Sequence, residues 1–221
     1  MKNALLLTVL LALLVLMFQA LYPATPTGSA GHAVSPPWQI EKLPDGHTRV
    51  FGLVPGVSTL AEAREHLGPD LNIAVIATPD ETGTLEAFHD SFSTGFVTGK
   101  LILTMEADEA SIAAMKQRSP KSDYMESSTR KYRLAAADME AAQGLPIRAI
   151  GFIPSTHLDA ATVEQRFGRP TERLKSGEDS EHLLYPDQGL DIAINAKGRE
   201  LLQYVAPKAF APLRELLIRN Q

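Results

Sequence analysis

Arg49-Val50-Phe51-Gly52-Leu53-Val54-Pro55 returns as Arg148-Ala149-Ile150-Gly151-Phe152-Ile153-Pro154. Each copy is an aliphatic run around one glycine, ended by a proline and followed by a short amphipathic segment. The first segment closes on Leu67-Gly68-Pro69 and the second, with one residue inserted, on Phe167-Gly168-Arg169-Pro170. Self-similarity of this kind is the mark of a duplicated folding unit. Read outward from the two copies, the chain divides into segments 1–22, 23–37, 38–120 and 121–221.

The first unit, 38–120, opens with an expected hairpin. Trp38 to Leu43 reads as a strand, Pro44-Asp45-Gly46-His47 as its turn, and Thr48 to Val54 as the return strand. Thr59 with Glu62 forms a capping box, and Leu60, Ala63 and Leu67 give a narrow apolar stripe with the Arg64 stem at its edge. Strands over Asn72–Ala77, Thr84–Phe92 and Phe96–Glu106 follow. Val97, Leu101, Leu103 and Met105 share one face of the last, the period of a half-buried antiparallel strand. A helix capped by Asp108 runs to Arg118, and Ser119–Ser128 reads as a linker.

The second unit, 121–221, has a candidate strand at Thr129–Leu134, a short helix at Ala136–Ala142 and the repeated strand at Ile147–Ile153. Asp159 caps a helix whose Ala160, Val163 and Phe167 match Leu60, Ala63 and Leu67. Strands at His182–Tyr185, Leu190–Asn195 and Arg199–Val205 complete a meander. A terminal helix over Ala209–Arg219 turns Phe210, Leu213, Leu216 and Leu217 inward. Helix then meander, twice, is an α+β arrangement of two tandem helix-plus-antiparallel-sheet repeats, each helix covering its own sheet.

Ala4–Tyr22 is apolar except for Thr8 and Gln19, and nineteen residues at ~1.5 Å each span a bilayer's hydrocarbon core. The expectation for residues 1–22 is an uncleaved transmembrane anchor. The alternative is a cleaved signal peptide, for which Gly28-Ser29-Ala30 offers small residues. The apolar run is longer than the usual signal core, and those small residues lie well past its end. Lys2 and the terminal amine are the flanking positive charges, so the positive-inside rule expects a cytoplasmic N-terminus and an exported remainder. In a bacterial inner membrane that remainder is periplasmic. Pro23–Pro37 is rich in Pro, Ala, Thr, Gly and Ser, and reads as a spacer between membrane and folded part.

Composition excludes several function classes. The chain has 221 residues, net charge −5 and no cysteine. Without cysteine there are no disulfides, thiolate metal sites, thiol catalysis or Cys lipidation. Lys and Arg are scattered, whereas a nucleic-acid binder masses them to neutralise phosphates; no nucleic-acid partner is expected.

With these elements in order, the stretches Pro55–Pro69 and Pro154–Pro170, the latter with Tyr185–Tyr204, resemble the SmpA/OmlA family of small envelope lipoproteins. That family serves the outer-membrane barrel-assembly machinery. The tandem form is similar to the β-lactamase-inhibitor-protein fold, in which two such units present a concave sheet. The resemblance implies binding or assembly and no catalysis. A departure from the family is its lipidated cysteine anchor, which this chain lacks and for which the apolar helix would substitute.

Chemical constellations are few. Glu62 and His66 stand at i, i+4, a metal-chelating spacing, but no third ligand accompanies them. His157-Leu158-Asp159 has the look of a ligand pair, with Asp159 better explained as a cap. His89 and Asp90 are adjacent on a strand and therefore point apart. Gly95–Lys100 is one residue short of a phosphate loop and places Leu101 where a Ser or Thr is needed. Glu178-Asp179-Ser180-Glu181 lacks calcium-loop spacing, and Glu106, Asp108 and Glu109 suit a helix N-terminus. Arg49 and Arg148 recur in both units, each expected to pair with a carboxylate of its own unit, or else to serve a binding surface.

No catalytic, cofactor-binding or metal residue is assigned, and no cofactor. The expected function is a membrane-anchored periplasmic protein-binding or assembly module with an envelope protein as partner. The alternatives are an inhibitor of a periplasmic enzyme, and a hydrolase drawing on His89, His157 or His182 between the units.

Overall fold

Alternating burial along the strands builds one large antiparallel sheet. The computed structural model describes residues 34–79, 81–125, 129–177, 179–196 and 198–219. The expected anchor, and the expected spacer up to residue 33, lie outside them. Strands are β1 (Glu41–Lys42), β2 (Thr48–Arg49), β3 (Asn72–Ala77), β4 (Thr84–Thr94), β5 (Val97–Met105) and β6 (Ser122–Tyr124). They continue as β7 (Arg130–Arg133), β8 (Ile147–Pro154), β9 (Glu172–Lys175), β10 (Ser180–Tyr185), β11 (Leu190–Asn195) and β12 (Leu201–Val205). Helices are α1 (Leu60–Leu67), α2 (Glu109–Arg118), α3 (Ala136–Ala142), α4 (Ala160–Phe167) and α5 (Phe210–Arg219).

β1 and β2 pair only with each other, and the other ten strands run in the order β6-β7-β3-β4-β5-β8-β12-β11-β10-β9. The α+β class is as expected, but the two expected sheets are one. β8 is the reason: it pairs antiparallel with β5 on one side and with β12 on the other.

One face of this sheet is the core. Ile73, Ala87, Leu103, Ile150, Tyr204, Leu190 and Tyr185 lie in register across seven strands, and all are buried. Apolar residues of α1, α2, α3 and α4 belong to the same core, through Leu60, Ala63, Ile112, Met115, Ala142, Val163 and Phe167. Burial of this much aliphatic and aromatic surface is the main stabilising term. Among the described residues, the opposite face carries only α5. Phe210, Leu213 and Leu217 of that helix pack on Leu184 and Val205, and Arg214 fixes it through paired hydrogen bonds to Glu172 at 2.6 and 2.7 Å. Leu216, expected inward, is 47% exposed. It is out of phase with Phe210, Leu213 and Leu217, which suffice for the contact.

The caps form as read. Thr59 and Glu62 make a reciprocal capping box, Asp108 accepts from the Ser111 amide, and Asp159 accepts from the Thr162 amide. α1 and α4 also end alike, on Gly68 and Gly168, whose amides bond back to the Arg64 and Glu164 carbonyls.

The repeated heptapeptide does not fold the same way twice. Arg148–Pro154 lies in the central strand β8, whereas Val50 and Leu53 exchange two backbone hydrogen bonds of 2.9 Å around Phe51-Gly52. Both turn residues have positive φ, 52° and 80°, the requirement of the tightest hairpin turns. The expected return strand over Thr48–Val54 is therefore cut to two residues, because 50–54 folds on itself with no neighbouring strand to extend it. Gly52 is needed twice over, since a Cβ there would collide with the His66 ring.

Two strands escaped the sequence reading: β6, inside the expected linker Ser119–Ser128, and β9. Val34 packs on the core, Thr94 donates its hydroxyl towards the carbonyls of Val34 and Ser35, and Tyr204 donates to that of Pro37 at 2.9 Å. The folded unit thus takes in the last residues of the compositional spacer. Among the described residues, no helix is long and apolar enough to cross a membrane.

Candidate functional site

Among the described residues, the face opposite the core is the surface the fold leaves available. A single rung can be followed across it: Asn72, Phe88, Ile102, Gly151, Gln203, Asp191, Leu184 and Glu172 are successive register partners on eight strands. α5 covers the Leu184–Glu172 end, while Ile102, Gly151 and Gln203 at the middle are partly exposed.

Gly151 makes a notch at the centre of the sheet. A Cβ built on it would lie 3.6 Å from Leu201 Cδ1 and 3.7 Å from Ile102 Cβ. These are ordinary van der Waals contacts, so the space is real and its walls are aliphatic. One end of the rung is basic. Lys100 and Lys131 hold their ammonium groups 5.0 and 4.5 Å from the centroid of the Phe88 ring. Their stems cover the ring, and Phe88 is buried as a result. Lys100 also pairs with Asp90 at 3.2 Å, and Arg133 stands beside Ala74 in register.

Towards the α5 end, Asp191 is buried and its carboxylate accepts from His182 Nδ1 at 2.9–3.0 Å. Hydrogen bonding to that carboxylate raises the His182 pKa above the ordinary histidine value, against the opposing pull of burial. On the core face, burial pushes the Tyr185 phenol up to about 12 and raises Tyr204 well above the ordinary phenol value.

A second concavity of about 190 Å³ opens at the β4–β5 hairpin tip, walled by Trp38, Phe96, Val97, Leu158, Val163 and Phe167. Phe96 is 79% exposed. Trp38 meets Phe167 edge-on with centroids 6.5 Å apart, and the Arg166 guanidinium stands 4.9 Å from the indole centre.

The three histidines of the hydrolase reading are not brought together. His89 lies on β4 with its Nδ1 accepting from the Ser91 amide, and His182 lies on β10. Five strand spacings separate β4 from β10, about 24 Å. His157 follows β8, with its ring against the wholly buried Glu200. Among the described residues, no group of three potential ligands could hold a metal ion. Glu62 is occupied by its capping box and Asp90 by Lys100. Gly95–Lys100 is hairpin and strand. Glu178 lies outside the described residues, and Glu181 binds Arg173. Arg49 pairs with Glu41 at 2.6 Å, within its own unit as expected, and Arg148 lines an open cleft with Glu81 and Glu109.

Sequence reasoning missed the notch and the tip pocket. An aromatic directly after Ser93-Thr94-Gly95 was a visible signal for the second. Nothing local signals the first, because Gly151 becomes a notch only once β5 and β12 flank it. Comparison of the chain with protein-family models, curated proteins and solved structures gives no match.

Proposed function

We propose that this chain is a membrane-anchored, non-catalytic protein-binding or assembly module of the cell envelope, with its folded part in the periplasm. In this reading it descends from a duplicated helix-and-meander unit, and its open sheet face receives another envelope protein. The observation that carries the reading is the one-sided packing: among the described residues, four helices contribute to the core on one face, and only α5 lies on the other. What remains open is a floor of partly exposed Ile102, Gly151 and Ile153 with lysines along one end. Such a floor fits apolar side chains flanked by carboxylates, the mixture of apolar centre and polar rim that protein interfaces use. The matched caps and glycine ends of α1 and α4 support the duplication, as does the resemblance to the tandem barrel-assembly-type fold. The length of Ala4–Tyr22 supports the anchor.

Gly151→Val is the test of the face. Its backbone is extended, the added Cβ meets only ordinary contacts, and a β-branched residue suits a strand, so stability changes by less than about 1 kcal/mol. A photo-crosslinking residue at Ile102 in intact cells is expected to yield an adduct heavier than a self-dimer accounts for. Gly151→Val removes that adduct while circular dichroism stays unchanged. An adduct indifferent to Gly151→Val, or none at all, refutes the docking face. For topology, alkaline phosphatase fused after Gln221 is expected to be active and to stay with membranes in alkaline carbonate. An inactive fusion, or release by carbonate, rejects the exported, anchored arrangement.

A further inference from the structure

The pocket at the β4–β5 tip is unrelated to the open face, and its position says what covers it. Val34 is the first described residue, and the hairpin tip is tied to it through the Thr94 hydroxyl and the carbonyls of Val34 and Ser35. Phe96, two residues beyond Thr94, is the most exposed of the exposed large hydrophobic side chains. Trp38, four residues beyond Val34, forms the pocket wall beside it, with ring centroids 5.9 Å apart. The tip is therefore the part of the fold fastened to the segment that leads back to Ala4–Tyr22.

Eleven residues, 23–33, separate that apolar run from Val34, a reach of at most about 40 Å. A tether this short keeps the tip at high effective concentration near whatever holds the anchor. The chemistry of the pocket matches a bilayer interface. Tryptophan is the residue most at home at headgroup depth, and an exposed phenylalanine beside it supplies an apolar wedge. Among the described residues no carboxylate lines the pocket, and its one charged group is Arg166, whose stem can lie along the apolar wall while the guanidinium meets lipid phosphate.

We propose that Phe96 and the Trp38 pocket form a lipid-contacting tip that seats the folded unit on the outer leaflet of the membrane in which the chain is anchored. The proposal rests on the anchor reading above and adds an orientation to it. β4 and β5 rise from the bilayer, and the open face looks sideways, towards partners in the same membrane.

The chain supplies its own probes: Trp38 is its sole tryptophan, and it has no cysteine. The experiment uses the full chain reconstituted into phosphatidylcholine–phosphatidylglycerol vesicles, with and without lipids brominated high on the acyl chain. Trp38 emission is expected to be quenched by the brominated lipid. Phe96→Cys labelled with nitrobenzoxadiazole is expected to shift to the blue relative to the same label at Leu216→Cys. Phe96→Asp, at a solvent-facing position, is expected to lower the equilibrium constant for lipid contact at least about tenfold, the factor that burying one phenylalanine provides. A label at Leu13→Cys, at the middle of the apolar run, reports the anchor separately in vesicles whose lipids are brominated near the end of the acyl chain. Quenching at Leu13 with none at Trp38 and no shift at residue 96 overturns the lipid-contacting tip and leaves the anchor standing; the pocket then belongs to a protein partner. Quenching at Trp38 without quenching at Leu13 supports the tip and removes the anchor. Quenching at neither position overturns both.

Discussion

Phe51→Ala lowers the stability of the folded unit by about 4 kcal/mol, the largest loss expected from any single truncation here. The Phe51 side chain is fully buried and sits among three other rings, with centroids 5.6 Å from Phe92, 5.5 Å from Phe152 and 5.8 Å from Tyr204. Those rings come from β4, β8 and β12, so one side chain ties both halves of the sheet to the turn that carries it. Removing it deletes the transfer energy of a whole ring and leaves a cavity that rings fixed on strands cannot collapse to fill. For a chain of this size such a loss lowers Tm by roughly 10 °C, read by thermal denaturation followed by circular dichroism.

A second substitution decides between packing and backbone as the cause. Phe51 has φ of 52°, a left-handed conformation that costs a non-glycine residue on the order of 1–2 kcal/mol and that asparagine tolerates better. If backbone strain dominated, Phe51→Asn would be neutral or stabilising. The ring is worth more than the strain, so Phe51→Asn still loses roughly 3 kcal/mol. A stabilised Asn variant would show that the turn is strained more than the core rewards it.

The same residue shows where reading the sequence stops. Val50-Phe51-Gly52-Leu53 and Ile150-Gly151-Phe152-Ile153 match as strings, and both look like strands by composition. One is a turn and the other a central strand, because β8 has a partner on each side and 50–53 has none. Strand pairing is a property of neighbours distant in sequence, and no local pattern encodes it. Helix ends are the opposite case: Thr59, Asp108 and Asp159 bond to amides three residues on, a contact written entirely within the local sequence. The edge strands β6 and β9, Ser-Asp-Tyr and Glu-Arg-Leu-Lys, were illegible for a different reason. Edges are kept charged to discourage further pairing, and that removes the apolar alternation by which strands are recognised. The candidate face inherits this difficulty. Its Ile102 was visible as one side of an alternating strand, but Gly151 and Leu201 meet it only through pairings made at long range.

His182→Ala is the second large effect, with an expected loss of about 3 kcal/mol. His182 and Asp191 are diagonal neighbours on β10 and β11, since His182 is in register with Ala193 and Leu184 with Asp191. Their side chains are 16% and 3% exposed. Truncating the histidine leaves a buried carboxylate without its donor, which costs more than the pair contributes when intact. Asp191→Asn added to His182→Ala removes the orphaned charge, so the double variant is expected to recover part of the loss. The pair also sets a pH dependence of definite sign. The folded-state pKa of His182 is raised above its unfolded value by the hydrogen bond to Asp191, so the folded protein holds this proton more tightly than the unfolded chain does. The resulting stability is fully present below about pH 6.5 and is lost as pH rises through the folded pKa. Urea midpoints measured between about pH 5.5 and pH 9 should therefore fall with rising pH in the parent, and the fall should be smaller in His182→Ala. The His182 ring resonances should titrate above the ordinary histidine range. Equal slopes in the two proteins would mean that the imidazole is not held charged against Asp191.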